Sequence, residues 1–227
     1  MKTNILIGFI IWWVIILGYF FYPHISMMTG GDMMMHEVNS AISKTQASFL
    51  QTDPNTLPNA KEVEIVELSD GDVYTMEVTQ VAKEIGNDII AMLAYNGSVP
   101  WPILKAPAGA SVTLRFINKV EWLETTLHSH GLRGDNIMDG VPTDGGGTQQ
   151  VMQTGDSFEY ELVFPDTGIF WYHPHVREDL QQELGLYGNY LVTPKTKNFY
   201  NPVNTEEVLV LDDILIEDGK IAPISAA

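Results

Sequence analysis

The chain has 227 residues, 29 acidic against 12 basic side chains, a formal charge of −17 and no cysteine. That acidic excess leaves little to neutralise a phosphate backbone, which excludes nucleic acid as a partner. The missing thiols exclude disulfides, zinc–thiolate sites, thiol catalysis and any copper site that needs a cysteine ligand.

The first element is apolar. Ile5 to Tyr22 is an 18-residue run without a charge, about the minimum that crosses a bilayer as a helix. Lys2 precedes it and the next basic residue is Lys44, so the positive-inside rule puts the N-terminus in the cytoplasm and the rest outside. Residues 1–23 are therefore expected to form a transmembrane helix that anchors the chain, with a cleaved signal segment as the alternative. Either way the body of the chain is expected to be extracytoplasmic, periplasmic or at the cell surface.

Residues 24–60 read as a Met-rich polar linker. Its stretch "MMTGGDMMMH" gathers Met27, Met28, Met33, Met34, Met35 and His36. Thioether sulfur is a soft ligand that selects Cu(I), so these residues are candidate Cu(I) contacts. The plainer alternative is a flexible apolar stretch beside a membrane.

From Lys61 the pattern becomes that of strands. "EVEIVEL" alternates polar and apolar residues, and "DVYTMEVTQVAKEI" continues after the turn at Asp70-Gly71. "ASVTLRFINKV", "SFEYELVF", "GIFWYHPH" and "GLYGNYLVTP" follow, separated by Gly, Pro, Asn and Asp in "YNGSVPWP", "APAGA", "DGVPTDGGG" and "PDTG". Many short strands at this spacing predict an all-β Greek-key β-sandwich over residues 61–194. "REDLQQELG" reads as one or two helical turns. Residues 194–202 read as a linker, and "EEVLVLDDILIEDGKI" as a new strand and hairpin, so that 195–227 begins a second domain.

Four of the six histidines fall in two His-x-His pairs, in "TTLHSHGLRG" and "IFWYHPHVRE". Side chains at i and i+2 of a strand share a face. His128 and His130 are thus expected to project together, and so are His173 and His175. Imidazole suits copper, zinc, nickel or iron, and two such pairs on adjacent strands surround a small volume with four nitrogens. A zinc hydrolase is one reading, with Glu178 or Asp139 as the base. Trp171 and Tyr172 read as packing, and Gly131 as a residue that lets the backbone close behind the ligands.

"LHSHGLRGDNIMDGVPTDGG" and "GIFWYHPHVREDLQQELGLYGNYLVTP" resemble the two copper-binding motifs of the first domain of laccase-like multicopper oxidases. "YNGSVPWPILKAPAGASVTLRFINK" resembles the framework strands of that domain, and the likeness spans roughly residues 62–194. The resemblance implies a cupredoxin-like sandwich. It also implies copper-dependent oxidation of phenols or low-valent metal ions, coupled to four-electron reduction of O2 to water. By the same resemblance His128 holds the type 2 copper, His130 and His173 one type 3 copper, and His175 the other. Asp139 in "MDGVP" then stands beside the cluster as a proton donor, and as a turn residue in its simplest role.

The pattern is incomplete. The family's type 1 copper takes a cysteine, and none is present; its remaining cluster histidines lie in a C-terminal domain, and no His-x-His follows His175. The expectation is the N-terminal portion of a longer enzyme, inactive alone, whose cluster is completed by further domains or another chain. A non-catalytic copper-binding cupredoxin module is the alternative. The methionine reading is tested by titrating Cu(I) into a peptide spanning residues 24–37 against a chromophoric chelator. Uptake of the ion is expected, and none would contradict that reading.

Overall fold

The computed structural model describes residues 52–99, 101–217 and 219–221. These form β1 (Ile65–Glu67), β2 (Val73–Ile85), β3 (Asp88–Tyr95), β4 (Ile103–Pro107), β5 (Ser111–Asn118), β6 (His128–His130), β7 (Ser157–Val163), β8 (Gly168–His173), β9 (Gly188–Thr193), β10 (Ile216–Glu217) and β11 (Lys220–Ile221). The one α-helix among the described residues is α1 (Glu178–Glu183), in the segment expected to be helical. No helix among the described residues is long and apolar enough to cross a membrane. The apolar run 5–22 and the methionine segment lie outside the described residues.

Two sheets make the body, with strand orders β1-β4-β9-β8-β6 and β3-β2-β5-β7; β10 and β11 form a separate hairpin. The neighbours β2–β5 and β4–β9 are parallel, so the chain crosses between layers instead of meandering. The protein is all-β, consistent with a cupredoxin-like sandwich. Strand β5 shows how the sequence sets this up. It reads Ser-Val-Thr-Leu-Arg-Phe-Ile-Asn, and Val112, Leu114, Phe116 and Asn118 are buried while the residues between them are half-buried or exposed. One face enters the core and the other meets solvent.

The layers meet on aromatic side chains. Tyr95 of β3 packs on Tyr172 of β8 with ring centres 5.5 Å apart, and on Phe116 of β5 at 6.0 Å. Tyr190 of β9 completes the group, 5.0 Å from Tyr172. Burying each such side chain contributes roughly 1.5–3 kcal/mol. Three hydroxyls are placed as well: Tyr172 donates to the Pro102 carbonyl at 2.6 Å, Tyr190 and Ser129 share a bond of 2.8 Å, and Tyr160 donates to Gln149 at 2.7 Å, whereas the Tyr95 hydroxyl is buried without a partner. Burial pushes the phenols of Tyr160, Tyr172 and Tyr190 up, so all three stay neutral.

Several expectations need correction. "EVEIVEL" yields only the three residues of β1. Strands β3 and β4 are additions to the expected set. Strand β8 ends at His173, so His175 lies beyond it in a bend. Residues 205–215 form no strand, and Leu209 and Leu211 stand 79% and 98% exposed. The hairpin expected at the end of that segment is present as β10 and β11, with Ile221 buried in the core.

Candidate metal centre

Strand β6 is the edge of the five-stranded sheet and runs antiparallel to β8. His128 pairs with His173, Ser129 with Tyr172, and His130 with Trp171. Residues opposite one another across such a ladder share a face. His128, His130, Trp171 and His173 therefore project from one side of the sheet, while Ser129 and Tyr172 enter the core on the other.

The result is a tight group of imidazoles. Nitrogen atoms of His128, His130 and His173 all lie within 4.8 Å of one another. His173 Nε2 faces His130 Nδ1 at 3.5 Å. The His128 ring centre stands 5.4, 5.3 and 5.4 Å from those of His130, His173 and His175. His175 is thus brought to the group but stands apart from its tightest part, 6.1 Å from His173 by ring centres. Trp171 stacks on His173 at 3.9 Å and lies 5.1 Å from His130, so it walls the two rings.

Hydrogen bonds fix which nitrogens are free. A carbonyl oxygen only accepts, so His128 Nδ1 donates to the Asp139 carbonyl at 2.6 Å and His173 Nδ1 to that of Pro174 at 2.8 Å. Nε2 is therefore the nitrogen that each ring turns toward a metal. Asp139 Oδ1 lies 3.3 Å from His128 Nδ1, and Glu178 Oε2 lies 3.9 Å from His173 Nδ1. The two carboxylates offered as hydrolytic bases thus stand behind the imidazoles, on their Nδ1 sides.

Asp139 reaches His128 through local turn chemistry. Asp135 caps a short 3-10 turn, Asn136–Met138, by accepting from Ile137 N–H at 3.3 Å, and Asp139 closes that turn. Gly140 follows with φ +74°, where a Cβ would lie 1.9 Å from the Leu127 carbonyl oxygen and 2.8 Å from His128 N. Only glycine permits this approach, which sets the Asp139 carbonyl on the ring. Gly131, just after β6, also has positive φ, and a Cβ there would meet the Phe170 ring at 3.2 Å.

Residues the sequence reading missed hold the frame. Leu127 N–H, immediately before β6, donates to Tyr160 Oη at 3.0 Å. Gln181 and Thr126 tie the two arms together. Their partners are distant in sequence, so no local spacing marks them; the run "DLQQE" shows only as a helical segment.

The donor set fits copper ions. Two nitrogens 3.5 Å apart can touch one ion at imidazole bond lengths of about 2 Å, and imidazole is an established copper donor. A multicopper oxidase family model matches residues 77–197, a span that includes all four histidines and Asp139. This chain belongs to the multicopper oxidase family. Its relatives include the multicopper oxidase MmcO of Mycobacterium tuberculosis, 32% identical over 130 residues that cover 57% of this chain and 24% of the relative. Copper resistance protein A of Pseudomonas syringae pv. tomato is 28% identical over 148 residues, covering 65% and 23%. Among solved structures, the multi-copper oxidase of Pseudomonas thermotolerans is similar with a TM-score of 0.53 and 31% identity, covering 61% of this chain and 32% of that one. The chain thus spans less than a quarter of these two curated relatives. Membership implies copper as the metal of this multicopper oxidase domain and leaves the zinc-hydrolase reading without support.

Burial, reinforced by the neighbouring imidazoles of His128, His130 and His175, pushes the His173 pKa down to about 4. Between about pH 6.5 and 4 the unfolded chain binds a proton that the folded chain refuses. Stability therefore falls as the pH drops through that window, by about 3 kcal/mol in all. Urea unfolding of the metal-free chain at pH 7 and pH 4 should show this loss, and His173→Gln should remove about that much of the difference. Equal pH dependence in the two proteins would contradict the assignment.

Proposed function

We propose that this chain supplies half the histidine ligands of a trinuclear copper centre. That centre serves copper-dependent oxidation of phenols or low-valent metal ions, with four electrons passed to O2 to give two waters. The observation that carries the reading is the β6–β8 ladder, which turns histidines from two distant motifs toward one volume. In the finer assignment His128 serves the type 2 copper, His130 and His173 one type 3 copper, and His175 the other. The 3.5 Å approach of His130 and His173 supports giving these two to one ion, and the separate position of His175 supports giving it to another.

Copper, when bound, supplies the one-electron redox couple that no side chain here offers. The protein's own residues do the rest. His128 and His173 donate through Nδ1 and keep Nε2 free. Trp171 excludes water from one side of His173. Asp139, 39% exposed beside His128, is in reach of solvent and is placed to relay protons to reduced oxygen. The acidic surface favours a cationic electron donor over an anionic one.

The wider reading has residues 61–194 as one cupredoxin-like unit between the Met-rich segment 24–60 and the start of a second unit at 195–227. Residues 1–23 anchor or export the chain, and further domains or another chain complete the cluster. In that reading the methionines Met27, Met28, Met33, Met34 and Met35, with His36, hand Cu(I) to the oxidase. The lack of a cysteine favours one second reading: taken alone, these residues are a copper-binding module without a type 1 site.

Elemental analysis of purified chain separates these readings from any non-copper role. Replacing His130 and His173 together by Ala should lower bound copper about tenfold or more while circular dichroism still reports a folded sandwich. Unchanged copper content in the folded double variant would overturn both readings.

A further inference from the structure

His175 poses a problem of its own. It follows Pro174 beyond the last residue of β8, so no sheet ladder fixes it, yet its ring stands 5.4 Å from that of His128. The opposite arm, residues 124–126, leads into β6 without belonging to it and is held by a single bridge, Thr125 to Met152.

One buried side chain joins these two segments. Gln181 of α1 is 1% exposed. Its Oε1 accepts from Thr125 Oγ1 at 2.8 Å. Its Nε2 donates to the Glu124 carbonyl at 2.8 Å and also to the Val176 carbonyl, one residue after His175. Beside it, His175 N–H donates to Thr126 Oγ1 at 3.2 Å. The backbone seats the glutamine, since Gln181 N–H donates to the Arg177 carbonyl at 2.9 Å and its own carbonyl accepts from Leu186 N–H at 2.9 Å. Every hydrogen-bonding atom of the amide is therefore engaged, and the acceptors lie on both histidine-bearing arms.

We infer that Gln181, acting with Thr126, is a positioning residue that sets where His175 stands relative to His128, and so governs how tightly the site holds the metal that His175 contacts. A glutamine suits the task because it donates to two carbonyls while accepting from a hydroxyl. Glutamate at this position keeps the acceptor and loses both donors. Methionine keeps the volume and loses all three bonds. A buried amide so fully used resembles the outer-shell partners whose loss weakens metal sites by about 10- to 100-fold. The inference rests on the copper reading of His175 and adds to it the group that places the ring.

The test is a double-mutant cycle on the full chain. It is read by Cu(II) competition titration, since thioethers compete poorly for Cu(II), with thermal unfolding alongside. Gln181→Glu and Gln181→Met should each weaken Cu(II) binding by about 10- to 100-fold. Thr126→Val, which removes only the hydroxyl that accepts from His175 N–H, should weaken it in the same direction even if the Gln181 variants do not fold. In a His175→Ala background each substitution should cost nothing further in affinity, although it still lowers the melting temperature. Equal affinity losses with and without His175 would assign Gln181 to general stability and overturn the inference alone. A His175→Ala variant that binds Cu(II) like the parent would overturn the copper reading of His175 and the inference with it.

Discussion

The site depends on one register. Strand β6 contributes only three residues, and its alignment with β8 sets His128 opposite His173 and Ser129 opposite Tyr172. Side chains alternate with a period of two, so a slip of one residue would send the imidazoles into the aromatic core and expose the serine. Two core contacts prevent it. Ser129 bonds Tyr190 across the interior, and Tyr172 donates to the Pro102 carbonyl. Neither touches the histidine-bearing side, yet both fix which side that is. Packing of the sandwich and presentation of the histidines are thus the same event seen from two faces of one sheet.

The electrostatics follow from that placement. His173 is 3% exposed and crowded by other imidazoles, which disfavours its charged form and keeps a lone pair available. The carboxylates of Asp139 and Glu178 lie on the Nδ1 side, outside the pocket, while the carbonyls of Asp139 and Pro174 orient the rings. In a chain with 29 acidic residues, the arrangement near the imidazoles matters more than the overall excess.

Much of this was legible in the sequence. Alternation found β2, β5, β7, β8 and β9, and the two His-x-His pairs pointed to the histidines that the fold brings together. Strand β3 escaped because Ile90 to Tyr95 is buried on both faces and so shows no alternation. One face lies in the sandwich; beyond it Leu93 N–H bonds the Leu184 carbonyl and β11 packs alongside. Strand β4 is short and enclosed between β1 and β9. The apolar stretch Leu209–Leu211 reads as a strand, but no partner strand among the described residues pairs with it. His175 is the most instructive case. The two-residue spacing brought it to the right neighbourhood for a reason the structure corrects. Long-range bonds from Thr126 and Gln181, across 49 and 57 residues for the ties to His175 and Glu124, do what strand geometry was expected to do, and no local pattern encodes them.

A copper ion shared by His130 and His173 is the central requirement of the proposed site. Anomalous scattering at the copper edge, from crystals of the full chain loaded with copper, locates that ion directly. A peak within bonding distance of both His130 Nδ1 and His173 Nε2 is the predicted result. A well-occupied peak elsewhere on the chain, with these two nitrogens metal-free, would contradict it.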